Sequence, residues 1–193
     1  MSRHQDTCQH LLTTGREILA MQGFSSVGLS TILQQAGVPK GSFYHYFRSK
    51  ESFGQAVLED YFVGYMDNLS ARFSDNSQSA LDRLMCYWSN WQQQYCGPAG
   101  LKDCLVVKLS AEVADLSEAM RLTLRDGTDQ IIGGITQCVE AAIAEGSIRD
   151  QNARQLATSL YQLWLGASLL TKLHRDDKHM AYAMACTKTL ITH

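Results

Sequence analysis

The sequence predicts an all-α protein, with a small three-helix region at its N-terminus ahead of a larger helical region, and three observations predict it. Only two prolines, Pro39 and Pro98, interrupt 193 residues, so helices are rarely barred. No stretch alternates apolar and polar residues around an Asn-Gly or Asp-Gly turn, the mark of a hairpin. Apolar residues instead recur at spacings of three and four along most of the chain, which places them on one face of a helix. A hydrophobic content of 45% with 19% charged residues is ordinary for a packed chain, and the length suffices for a real core. The net charge is −2, so any affinity for nucleic acid has to come from a local patch.

The first helix is expected from about residue 5 to 22, with Leu11, Leu12, Ile18 and Leu19 inward and Gly23 as its stop. The most informative segment follows, LSTILQQAGVPKGSFYHYFRSK, residues 29 to 50. Ser30 precedes Ile32, Leu33 and Ala36 and is suited to cap a short helix that Gly37 ends. Val38 would fill the angle after it. Pro39, with its φ already fixed and no amide to leave unpaired, opens a second helix near Lys40. A first helical turn favours Asp or Glu, yet from Gly37 to Lys50 there is no acid, only Lys40, Arg48, Lys50 and His45. That local disadvantage suggests a partner outside the chain. Lys40, Gly41, which permits close approach, and the small hydroxyl of Ser42 suit phosphate oxygens or base edges. Phe43 and Phe47, four apart, are the core pair, which leaves Tyr44, His45 and Tyr46 to present hydrogen-bonding rings outward. Ser49 caps the next helix, and Lys50 beside it is placed to hold a backbone phosphate. Two short helices around a tight turn, at about residues 29 to 48, are what a helix-turn-helix DNA reader needs. A solvated surface helix is the plainer alternative from spacing alone.

We expect residues 1–50 to form the DNA-binding domain and 51–193 a regulatory and dimerisation domain. The latter opens with a long helix after Ser49 carrying Phe53, Val57, Leu58 and Phe62, then a polar loop from Ser74 to Ser79. A helix with Leu81, Leu84, Trp88 and Trp91 runs to a break at Cys96-Gly97-Pro98-Ala99-Gly100. A short helix from about Leu101 to Val113 and a long one from Leu116 to Ala144, loosened at Gly133-Gly134 and ended by Gly146, come next. Two final helices, at about 150 to 173 and 177 to 191, carry Leu156, Leu160, Leu163, Trp164, Leu165 and Leu169, then Ala181, Ala183 and Ala185. That is more apolar surface than one side of a helix buries in its own chain, which favours a second subunit, with the core of a monomer as the alternative.

The first fifteen residues are polar and include His4, Asp6 and His10, which excludes a hydrophobic signal core, and no apolar run is long enough to span a bilayer. A cytoplasmic location is expected, with no membrane partner. There the six cysteines, Cys8, Cys86, Cys96, Cys104, Cys138 and Cys186, would be reduced and not a disulfide framework. Cys104 falls near the start of a helix, with Lys108 four residues on, a setting that favours a thiolate, although Asp103 opposes it; a small buried hydrophobe is the plainer reading. Lys172 closes the apolar stretch LYQLWLGASLLTKL, either snorkelling to water or meeting a thiolate or carboxylate. No metal site or cofactor is expected: there is no Cys-x-x-Cys pair, and His174 and His179 are five apart, off a common helical face.

The run AGVPKGSFYHYFRSKESF, Ala36 to Phe53, resembles the DNA-binding domain of the TetR family of transcriptional repressors. The resemblance implies that Ser30 and Thr31 approach the DNA backbone, that Lys40, Gly41, Ser42, Tyr44, His45 and Tyr46 line a recognition helix in the major groove, and that Lys50 holds a phosphate. It also implies a homodimer paired through the last two helices on an inverted-repeat operator of double-stranded DNA. The stretches DCLVVKLSAEVADLSE and LYQLWLGASLLTKL resemble the electrophile-sensing branch of that family. That likeness implies that Cys104 is the reactive sensor, that Lys172 lies close to it and that Cys96 is a secondary thiol. Ala114 and Leu19 stand where the branch can have cysteines, and Cys8, Cys86, Cys138 and Cys186 match none. A repressor released when an electrophile or oxidant modifies Cys104 is the reading we carry forward. Release by a noncovalent ligand among Tyr87, Trp88, Trp91 and Trp164 is the alternative. A helical thiol enzyme using Cys104 is a third, with no histidine placed near it in sequence.

Overall fold

The computed structural model describes residues 3–96 and 104–192, and the regular elements among these residues are nine α-helices. They are α1 (Arg3–Gln22), α2 (Leu29–Ala36), α3 (Lys40–Tyr46), α4 (Lys50–Phe73), α5 (Ala80–Cys96), α6 (Leu105–Val113), α7 (Glu118–Ala144), α8 (Ala153–His174) and α9 (Lys178–Thr192). The chain divides into two compact units, residues 1–65 with 102–128 and residues 66–101 with 129–193. The all-α expectation holds.

In the first unit α1 packs against α2 and α6. Of its expected inward residues Leu11, Ile18 and Leu19 are at or near zero exposure, while Leu12 is half-buried, and His10 Nε2 meets the Ala36 carbonyl at 3.0 Å, tying α1 to the end of α2. Gly37 ends α2 in the left-handed conformation at φ 63°, where its amide and that of Val38 satisfy the carbonyls of Gln34 and Leu33. Pro39, at φ −62°, then caps α3. Phe43, Phe47 and Phe53 close the hydrophobic centre with ring centroids 5.0–5.4 Å apart, contacts worth about 0.5–1.5 kcal/mol each beyond area burial. Ser49 and Ser52 cap α4 reciprocally, each amide donating to the other's hydroxyl at 3.0 Å.

In the second unit α8 packs against α9, and α9 against α5. Trp88 and Trp164 stack at 5.1 Å. Two indole N–H groups that would be costly to bury unpaired find hydroxyls: Trp91 Nε1 donates to Ser168 Oγ at 3.0 Å and Trp164 Nε1 to Thr187 Oγ1 at 2.9 Å. Those hydroxyls donate onward to the carbonyls of Trp164 and Ala183. Arg83 is held by the Phe73 carbonyl at 2.7 Å and by Glu145 at 3.9 Å.

Four boundaries differ from those the sequence suggests. Ser30 does not cap α2: the helix begins at Leu29, so the cap falls on Gly28, in extended conformation with no side-chain hydrogen bond. α6 begins at Leu105 with Cys104 as its N-cap, while residues 97–103, which include the expected Gly97–Gly100 break and the expected start at Leu101, lie outside the described residues. α7 begins at Glu118 because Ser117 stops the preceding turn and accepts from the Met120 amide at 3.3 Å. It runs unbroken through Gly133 and Gly134, since Leu69 packs so tightly on Gly134 that a Cβ there would lie 2.8 Å from it.

Candidate nucleic-acid interface and sensor helix

Burying Phe43 and Phe47 turns the rest of α3 outward. Lys40, Gly41, Tyr44 and His45 are exposed, Ser42 and Tyr46 half-buried, with Tyr44 at 49%. Lys40 Nζ lies 5.9 Å from the centre of the Tyr44 ring, and His45 meets Tyr46 edge-on at 5.0 Å. Ser30 is exposed and Thr31 half-buried on α2. The chain carries no carboxylate between positions 37 and 50.

Lys50 is placed differently from its neighbours. Its Nζ donates to the Phe24 carbonyl at 2.5 Å and sits 4.3 Å from the centre of the Phe24 ring. Partial burial pulls its pKa below the usual lysine value, and Glu112 opposes that. An ammonium has three N–H bonds, so this tether leaves capacity for a phosphate.

The sequence reading missed Glu112. Near the C-terminal end of α6, its carboxylate accepts from the amides of Phe24 at 3.0 Å and Ser25 at 2.6 Å, 88 and 87 residues away. Burial raises its pKa, but the hydrogen bonds from Ser25 and Phe24 together with Lys108 outweigh that and hold it below the usual glutamate value. Gly23, at φ 86°, turns the chain so that these amides face the carboxylate, and a Cβ there would stand 2.8 Å from Glu112 Oε2. The Ser117 hydroxyl, in the turn between α6 and α7, donates to Glu51 at the start of α4, a second tie nearby in the chain. Gly23 was the only local sign of this node, and it reads as a helix stop.

Cys104 is half-buried at the N-cap of α6, and its carbonyl accepts from the Lys108 amide at 3.1 Å. Lys172 is exposed in the last turn of α8. Cys104 belongs to the first unit and Lys172 to the second. Cys96 ends α5, with its side chain outside the described residues. The other thiols differ in access: Cys86 and Cys186 are exposed, Cys8 is half-buried, and Cys138 is buried, with burial pushing its pKa up to about 11. Tyr87, Trp88, Trp91 and Trp164 are buried against one another, and Tyr87 also borders an open cavity of about 370 Å³ with Arg72, Arg83 and Cys86. A cavity of about 360 Å³ in the second unit is lined by residues such as Met66, Phe73, Arg83 and Cys138. The rings of His174 and His179 lie 4.9 Å apart, because the left-handed Arg175 reverses the chain between α8 and α9, a proximity that spacing on one helix concealed. Among the described residues no group of three or more His, Cys, Asp or Glu is arranged to hold a metal, and no helix is long and apolar enough to cross a membrane.

A short helix pair joined by a left-handed glycine, presenting an acid-free face of Lys, Tyr and His, defines a helix-turn-helix DNA-binding regulator. Residues 11–57 match the model of the bacterial regulatory proteins of the tetR family, and residues 80–187 that of the tetracyclin repressor-like C-terminal domain. The chain belongs to the TetR family of transcriptional regulators, whose members bind operator DNA as dimers. It is 40% identical to the HTH-type transcriptional repressor NemR of Escherichia coli (strain K12), over 99% of this chain and 98% of that protein. It is 35% identical to the transcriptional regulator AcuR of Cereibacter sphaeroides, over 95% and 85%. The crystal structure of E. coli NemR in its reduced form superposes with a TM-score of 0.92, at 40% identity and covering 97% of each chain.

Proposed function

We propose that this regulator is a repressor whose reduced dimer holds an inverted-repeat operator and releases it when an electrophile or oxidant modifies Cys104. The observation that carries the reading is the position of that thiol: half-buried at the N-cap of α6, within the same compact unit as the acid-free face of α3. An adduct adds volume at the head of a short helix whose other end is tied to the reading head, so a local chemical event has a route to the DNA contacts. The 40% identity to a repressor over nearly the whole of both chains supports repression.

In this reading residues 1–50 are the DNA-binding module and 51–193 the regulatory and dimerising part. Lys40, Gly41, Ser42, Tyr44, His45 and Tyr46 enter the major groove, while Ser30, Thr31 and Lys50 contact phosphates. Lys172 and Cys96 are assigned to sensing with Cys104. Dimerisation runs through α8 and α9, whose exposed Leu169, Leu170, Leu173, Tyr182 and Leu190 leave apolar surface open to water in a single chain. The deciding experiment is a gel-shift titration of the promoter upstream of the protein's own gene, with and without electrophile, at two salt concentrations. Cys104→Ala should bind operator like the wild type and stay bound when electrophile is added; an unchanged response would remove Cys104 from the mechanism.

A further inference from the structure

We infer that Glu112 is the positioning residue through which α6 holds the DNA-reading head in register, by clamping the Phe24 peptide against Lys50. The Phe24 amide hydrogen is taken by Glu112 Oε2 at 3.0 Å, and its carbonyl oxygen by Lys50 Nζ at 2.5 Å. The Ser25 amide reaches the same carboxylate, so the Phe24–Ser25 peptide unit is gripped on both sides by opposite charges, its N–H by Glu112 and its carbonyl by Lys50. Each partner sits at a decisive point. Phe24 is the second residue of the linker from α1 into the helix-turn-helix, Lys50 is the first residue of the helix that leaves it, and Glu112 is the last but one of the helix that Cys104 caps. Ser25 adds a second amide to the same carboxylate at 2.6 Å, and Ser117 ties the turn that follows α6 to Glu51, next to Lys50.

The segment entering the motif and the helix leaving it are therefore held by the same few residues at the end of α6. A carboxylate is required for this: two successive amides point at one site, and only a group with two acceptor oxygens and no donor satisfies both. The loop is formed to receive it, because Gly23 leaves no Cβ where Oε2 sits, 2.8 Å from that position. Displacing α6 pulls the carboxylate from these amides and opens the clamp, which changes how α2 and α3 are presented. The link to Cys104 rests on the sensor reading above; the link to DNA binding does not.

The test is hydrogen–deuterium exchange on the full-length dimer combined with operator titration. Glu112→Gln keeps the volume and one acceptor but turns an N–H toward an amide. In the reduced state we expect it to lose protection in the peptide covering residues 23–28, to keep wild-type protection in α8, and to weaken operator binding about ten-fold. In wild type, N-ethylmaleimide should raise exchange in that peptide as it releases operator, and should do neither in Cys104→Ala. Wild-type protection and affinity in Glu112→Gln would overturn the clamp. So would maleimide releasing operator from wild type while the Phe24 and Ser25 amides stay protected, a measurement that needs no variant to fold. Failure of maleimide to release operator from wild type would sink the sensor reading instead, leaving the clamp to be judged by the reduced-state arm.

Discussion

Tyr44 is about half exposed although Phe43 beside it is fully buried, and the difference follows from which face of α3 the phenylalanine core occupies. An aromatic ring left in water next to a lysine is what a base-reading position requires. Replacing Tyr44 by Ala should therefore cost operator binding roughly 1–3 kcal/mol and leave the melting temperature almost unchanged, since little burial is lost. Lys40→Met should weaken operator binding and reduce the slope of log affinity against log salt by about one, read from titrations across a salt series. The thiols provide a contrast. Cys138 donates to the Ala80 carbonyl at 3.3 Å inside the core, and burial lifts its pKa from 9.0 to about 11. A thiol that stays protonated longer folded than unfolded contributes stability in full below the unfolded value; that contribution is lost as pH rises from about 9 to about 11. Brief alkylation of native protein near neutral pH should label the exposed Cys86 and spare Cys138, by peptide mass spectrometry; early labelling of Cys138 would contradict its burial.

At the scale of the element, two caps of similar energetic weight should have different consequences. Asn152 accepts from the Gln155 amide at 2.9 Å and starts α8, while Gly37 ends α2 in a left-handed conformation that a side chain makes costly. Asn152→Ala and Gly37→Ala should each lower unfolding free energy by about 1–2 kcal/mol in urea titrations. Only the glycine sets the angle between α2 and α3, so only Gly37→Ala should also weaken operator binding measured well below its melting temperature. Equal operator affinity in the two variants would mean that the turn tolerates another geometry. The Ser30 hydroxyl shows how a local signal misleads by two residues: it marks a helix start, but Gly28, which reaches a cap conformation at little cost, takes the position.

The whole molecule acts through a second copy. Leu169 and Leu173, four apart on α8, are 55% and 72% exposed, and Tyr182 on α9 is 64% exposed, more apolar surface than a lone chain leaves in water. Replacing both leucines by Glu should yield a monomer in sedimentation equilibrium, with the helical circular dichroism of the wild type. Affinity for the full inverted repeat should fall by about two orders of magnitude or more, because two linked half-site contacts become one. A variant that remains dimeric would move the interface off α8.

Most of the fold was legible because helix periodicity, caps and breakers act within four residues of one another: the stripe of α1, Gly37, Pro39 and the Ser49 cap read correctly from the chain alone. The outward face of α3 was legible for the same reason, since Phe43 and Phe47 determine where Tyr44 and His45 point. What lay beyond the sequence joins residues far apart. Glu112 reads as a surface acid until α6 is brought to the Phe24 and Ser25 amides, His174 and His179 read as unrelated until Arg175 turns the chain back, and Cys138 reads like Cys86 until packing buries one and not the other. Sequence by itself determined the helices and the DNA-reading motif, both products of short-range backbone and side-chain preference. Tertiary structure alone decided which charges meet and which thiols see water, because hydration and electrostatics sum over neighbours in space.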